Sequence, residues 1–119
     1  MKRDDTVYLQ HILAAIARAE TYLQDIDETA FIKNFLVQDG IIRQLEIIGE
    51  ATRRLSVQLR HKYDHIPWDD IAGMRDKLIH DYFGVDIDKV WLTAIEDLPT
   101  LKEAVTQILA ELSAYNGVQ

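Results

Sequence analysis

"IIRQLEIIGEATRRL", residues 41–55, places Ile41, Leu45, Ile48, Ala51, Thr52 and Leu55 at steps of three and four. That period marks one buried face of an α-helix, with Glu46, Glu50, Arg53 and Arg54 between the apolar positions. Gly49 inside the run lowers helix propensity. Close packing against a neighbouring helix is the expected reason for it.

The same period recurs outward in both directions. Residues from Asp4 to about Gln24 carry Val7, Leu9, Ile12, Leu13, Ile16, Ala17, Ala19 and Leu23, and read as a long first helix. Asp27 or Thr29 caps a second stretch that reaches about Lys62, with a kink expected near Val37 to Asp39. Ile66-Pro67 ends it. Pro67 suits the first turn of a third helix, and Asp69 and Asp70 favour its dipole. That helix runs to about His80, with Gly84 as its stop. Asp86 or Asp88 opens a fourth helix through Val90, Trp91, Ala94, Ile95 and Leu98, and Pro99 is expected to break it. Thr100 and Glu103 have capping-box spacing for a last helix through Val105, Ile108, Leu109 and Leu112. With 5 Gly and 2 Pro among 119 residues, turns must be few. Short connections favour antiparallel neighbours. The expected fold is all-α, an antiparallel up-and-down bundle of four to five helices, as a single domain over residues 1–119.

The chain has no Cys, which excludes disulfides, thiolate zinc sites and cysteine nucleophiles. No stretch approaches the ~18 apolar residues that span a bilayer, and no signal-peptide layout is present, so a cytoplasmic location is expected. The net charge of -7 argues against non-specific nucleic-acid binding. A local basic patch, or a basic surface completed by a second subunit, is compatible with that charge.

Arg75 is the anomaly. On a regular helix it lies within the arc set by Trp68, Ile71, Ala72, Leu78 and Ile79. A buried, unpaired guanidinium is very costly, so Arg75 needs a carboxylate, Glu46 or Glu50, or an open cleft in which it meets an anion. His80 falls roughly 140° away on a regular helix. Local unwinding before Gly84 would bring it to the same side. Asp76, four residues before His80, has the spacing to orient the imidazole. Arg suits phosphate, and His can accept a proton from a hydroxyl at neutral pH. Together they are the minimum parts for RNA cleavage without a metal. Arg53, Arg54, Arg60, His61 and Lys62 form a basic tract, read either as a solvated helix end or as a rail for the RNA backbone. His61 and His65 lack a carboxylate frame, so no metal site is expected. No phosphate-binding glycine loop or serine nucleophile motif appears.

The run Arg75-Asp76-Lys77-Leu78-Ile79-His80-Asp81-Tyr82 resembles the Arg-x4-His-x-Tyr signature of HEPN-domain proteins, and more narrowly their HepT branch. The segments 44–56, 66–86 and 90–102 look like that branch too, so the resemblance covers most of the chain. It implies a helical-bundle toxin of a type VII toxin–antitoxin pair, acting as a homodimer. Arg75 would polarise the scissile phosphate of a tRNA or mRNA in a cleft shared by two subunits, and His80 would be general base or acid. Tyr82 matches the tyrosine that accepts AMP groups from an MntA-like nucleotidyltransferase antitoxin, and no cofactor is implied. The position after the motif arginine, often Asn in that branch, is Asp76 here. Two other readings are a non-catalytic helical module that binds the nucleotidyltransferase or a nucleotide, and a structural bundle with Arg75 paired inside it.

Overall fold

The computed structural model describes residues 4–78 and 84–117. Helices dominate the described residues: α1 (Asp5–Tyr22), α2 (Glu28–Lys33), α3 (Phe35–Arg53), α4 (Val57–Lys62), α5 (Trp68–Ala72), α6 (Met74–Leu78), α7 (Ile87–Leu92) and α8 (Leu98–Gly117), with a π-helical segment, Thr93–Asp97, joining α7 to α8. They group into four rods: α1, α2–α3–α4, α5–α6, and α7 through α8.

The α1 and α3 rods pack along their length. They run antiparallel, because the Asp5 carboxylate at the start of α1 meets Ser56 beyond the end of α3, accepting from its backbone N–H at 2.7 Å and its hydroxyl at 2.6 Å. Leu9, Ile12 and Ile16 of α1 and Ile41, Leu45 and Ile48 of α3 are fully or almost fully buried between them. Leu98, Leu101, Val105 and Ile108 bring α8 onto α1. Each such aliphatic contributes roughly 1.5–3 kcal/mol on burial.

Gly49 packs as the sequence predicts. A Cβ there would stand 3.0 Å from the Ala72 carbonyl oxygen and 3.4 Å from that of Ile71. The end of α5 therefore lies directly on α3, with no side chain between them.

The second stretch is interrupted at Asn34 and again at Arg54–Ser56, not at residues 37–39. Asn34 leaves helical geometry and its side chain accepts the Val37 N–H at 3.0 Å, so the residue caps the next helix. Buried Gln38 donates to the Phe31 and Ile32 carbonyls at 2.8 and 2.9 Å, which satisfies the end of α2. Ser56 caps α4 through the Leu59 N–H. Asp27 and Asp86 cap α2 and α7 as expected.

Pro99 does not break the last rod. The Leu98 N–H bonds to the Thr93 carbonyl, five residues back. This wider turn displaces the carbonyls that the proline ring would strike and absorbs its missing N–H. Thr100 accordingly caps nothing. Its hydroxyl donates back to the Glu96 carbonyl at 3.3 Å inside a continuous helix.

Candidate active site

Arg75 lies on α6, but not on the apolar face. Its side chain is 51% exposed. The reason is Gly73, which separates α5 from α6 and resets the helical phase between Trp68 and Leu78. Those two residues remain buried while Arg75 turns out toward α3.

There the Nε of Arg75 donates to Oε2 of Glu46 at 2.9 Å. Glu46 is 33% exposed, so the pair is at the surface rather than sealed in the core. The Nη1 of Arg75 stands 3.7 Å from Asp76, whose other oxygen is 3.8 Å from Nη2 of Arg53. Arg53 and Arg54 both reach Glu50, at 3.9 and 3.3 Å. Charges of opposite sign thus alternate across α6 and α3, from Glu46 through Arg75, Asp76 and Arg53 to Glu50 and Arg54.

Of the basic tract, Arg53 and Arg54 join this cluster. Arg60 and Lys62 belong to α4 and form no ion pair with it among the described residues. The Nε of Arg60 is buried without a hydrogen-bond partner there, and the Lys62 ammonium sits 5.5 Å from the Tyr63 ring centroid. Asp76 contacts arginines; His80, which it is expected to orient, and Tyr82 lie outside the described residues. Gly84, the expected helix stop, has a φ of 94°, the left-handed region that favours glycine.

One further surface is not legible in the sequence. A shallow groove of about 320 Å³ between α1 and α3 is lined by Tyr8, His11, Arg43, Glu46 and Glu50, so it opens beside the partner of Arg75. Tyr8 and His11 meet edge to face at 6.0 Å. In the sequence these are ordinary polar positions of two amphipathic helices. Only the pairing of α1 with α3 brings them together.

The model of the family described as ribonuclease HepT-like matches residues 12–108, which span both α3 and α6. The chain belongs to the HepT-like ribonuclease family. Relatives of this HepT-like chain include a Methanocaldococcus jannaschii protein named "Gamma-glutamylcyclotransferase and putative RNase", 46% identical over 94% of this chain and 50% of its own length. The HepT-like chain thus spans about half the length of that relative. A "Putative RNase" of the same organism is 42% identical over 93% of this chain and 96% of its own. A "Probable ribonuclease HepT" of Thermococcus cleftensis is 43% identical over 86% and 93%. No solved structure matches the chain. No helix among the described residues is long and apolar enough to cross a membrane.

Proposed function

We propose that this HepT-like chain is a metal-independent endoribonuclease, the toxin of a type VII toxin–antitoxin pair, acting in the cytoplasm on tRNA or mRNA. One observation carries the reading: Arg75 stands at the surface with its Nε on Glu46 and, among the described residues, no hydrogen bond from its terminal nitrogens, Nη1 being 3.7 Å from Asp76. A planar, permanently charged fork in that state suits a phosphate. In the proposed reaction His80 takes the proton of a 2′-hydroxyl, and the freed oxygen attacks the adjacent phosphorus. The bond to the 5′-oxygen breaks, and that oxygen takes up a proton. The products are a 2′,3′-cyclic phosphate and a 5′-hydroxyl. Arg75 offsets the charge that develops on the phosphoryl oxygens.

The active unit in this reading is a homodimer, supported by the outer face of α3. Leu36, Arg43 and Glu50 follow one another along that face at seven-residue intervals, and all are exposed. Phe35, Leu36 and Val57 are 75%, 83% and 69% exposed. If two copies of α3 run antiparallel about an axis near Glu46 and Ile47, Arg43 falls opposite the partner's Glu50, and Asp39 opposite the partner's Arg54. Leu36 then falls near the partner's Val57. Such self-complementarity is what a two-fold interface requires. The axis passes beside Glu46, so both Arg75 side chains would flank it.

Silencing by an MntA-like nucleotidyltransferase, through AMP on Tyr82, completes the proposal. Added phosphate two residues from His80 would repel RNA. Purified, unmodified protein should cut RNA in EDTA and leave cyclic-phosphate ends, and His80→Ala should not. Intact RNA after long incubation would favour the non-catalytic binding module instead. Mass analysis after co-expression with the nucleotidyltransferase should find AMP on Tyr82, and none on Tyr82→Phe protein.

A further inference from the structure

The Glu46–Arg75 pair invites a simple explanation, that it fastens α6 to α3. Its exposure argues otherwise. With 51% of the arginine and 33% of the glutamate side chain exposed, water and salt screen the attraction, and such pairs add little stability. The burial of Trp68 and Leu78 and the close approach of α5 at Gly49 already hold these elements together.

The geometry of the contact suggests another role. A guanidinium has five N–H donors in one plane. Glu46 takes the single donor on Nε, at 2.9 Å. Asp76, at 3.7 Å from Nη1, is too far for a hydrogen bond. The edge formed by the two terminal nitrogens, which pairs bidentately with a phosphate, is therefore left for a ligand. Glu46 itself is borne by the middle of a 19-residue helix whose neighbours Leu45 and Ile48 are buried, so the carboxylate is a firm anchor.

We propose that Glu46 is the positioning residue of the site: by holding Nε it fixes the plane of the Arg75 guanidinium and presents the terminal edge to the scissile phosphate. This rests on the ribonuclease reading. An arginine side chain in water samples many rotamers, and fixing one before RNA arrives lowers the cost of ordering it in the transition state. The carboxylate also repels phosphate, but screening at this exposed position weakens that repulsion. A reactive group misplaced by about 1 Å loses on the order of 100-fold in rate, so positioning outweighs repulsion.

The test compares wild type, Glu46→Gln, Glu46→Ala, Arg75→Ala and the double variant Glu46→Ala/Arg75→Ala. The glutamine oxygen can still accept from Nε, so that variant should keep activity within about threefold. Glu46→Ala should lower kcat about 10- to 100-fold, with its melting temperature close to wild type. Because Glu46 acts through Arg75, the double variant should be no slower than Arg75→Ala alone. Activity of Glu46→Ala at or above wild type would make the carboxylate a competitor of phosphate and overturn the proposal. So would a full additional loss in the double variant, or equal losses in the Gln and Ala variants.

A second measurement separates this proposal from the reading beneath it: binding of a non-cleavable 2′-O-methyl oligoribonucleotide. If wild type cuts no RNA, the nuclease reading fails. The positioning role then stands on whether Glu46→Ala and Arg75→Ala weaken this binding alike while Glu46→Gln does not, and unchanged binding in Glu46→Ala ends it.

Discussion

Arg75 shows why a helical wheel can name a residue correctly and misjudge its surroundings. Its chemical suitability was legible in the sequence, and so was Glu46 as one of two partners. Its apparent place on the apolar arc was not real, because the wheel assumes unbroken phase and Gly73 interrupts it. The correction bears on mutagenesis. A sealed ion pair broken from one side costs several kcal/mol, whereas a half-exposed one costs ~0–1 kcal/mol. Arg75→Ala should therefore melt within a few degrees of wild type by circular dichroism while losing RNA cleavage on the order of 100-fold or more. A large fall in melting temperature would restore the view of Arg75 as a structural strut.

At the scale of elements, residues with a direct backbone role were readable and long-range ones were not. Asp27 and Asp86 announce their helices because a carboxylate before an apolar run caps it. The break at Ser56 is not legible locally, because part of its cause is Asp5, 51 positions away in sequence. Ser56→Ala removes the cap on Leu59 and leaves Asp5 without its hydroxyl partner. Thermal or urea unfolding should show a loss of ~1–2 kcal/mol. Pro99 misled in the opposite direction. Proline normally ends a helix, but the preceding π segment accommodates it, and α7 and α8 form one rod where the spacing predicted two helices.

For the whole molecule, the all-α bundle followed from sparse glycine and proline together with sustained helical periodicity. The outer face of α3 did not, since exposure is known only once α1, α5 and α6 have covered the other faces. If that face joins two copies, Arg43→Glu places like charges opposite each other in both halves of the interface. Analytical ultracentrifugation should then show a shift toward monomer at micromolar concentration. Adding Glu50→Arg to the same chain restores opposite signs across the axis and should recover the dimer. A monomeric wild type, or a dimer indifferent to Arg43→Glu, would move the interface elsewhere.

Where α5 rests on α3, the backbone of one rod touches the bare Cα of the other at Gly49. If Arg75 and Glu46 serve the proposed site, that contact is a rivet between the two rods that carry them. Any larger residue there must push the rods apart, and with them Arg75 from Glu46. If the chain is a toxin as proposed, a genetic selection for cells that survive its expression should therefore yield bulky replacements of this glycine as well as changes in the reactive side chains. Some of those alleles should be temperature-sensitive, harmless at high growth temperature and lethal again when cooling lets the seam close.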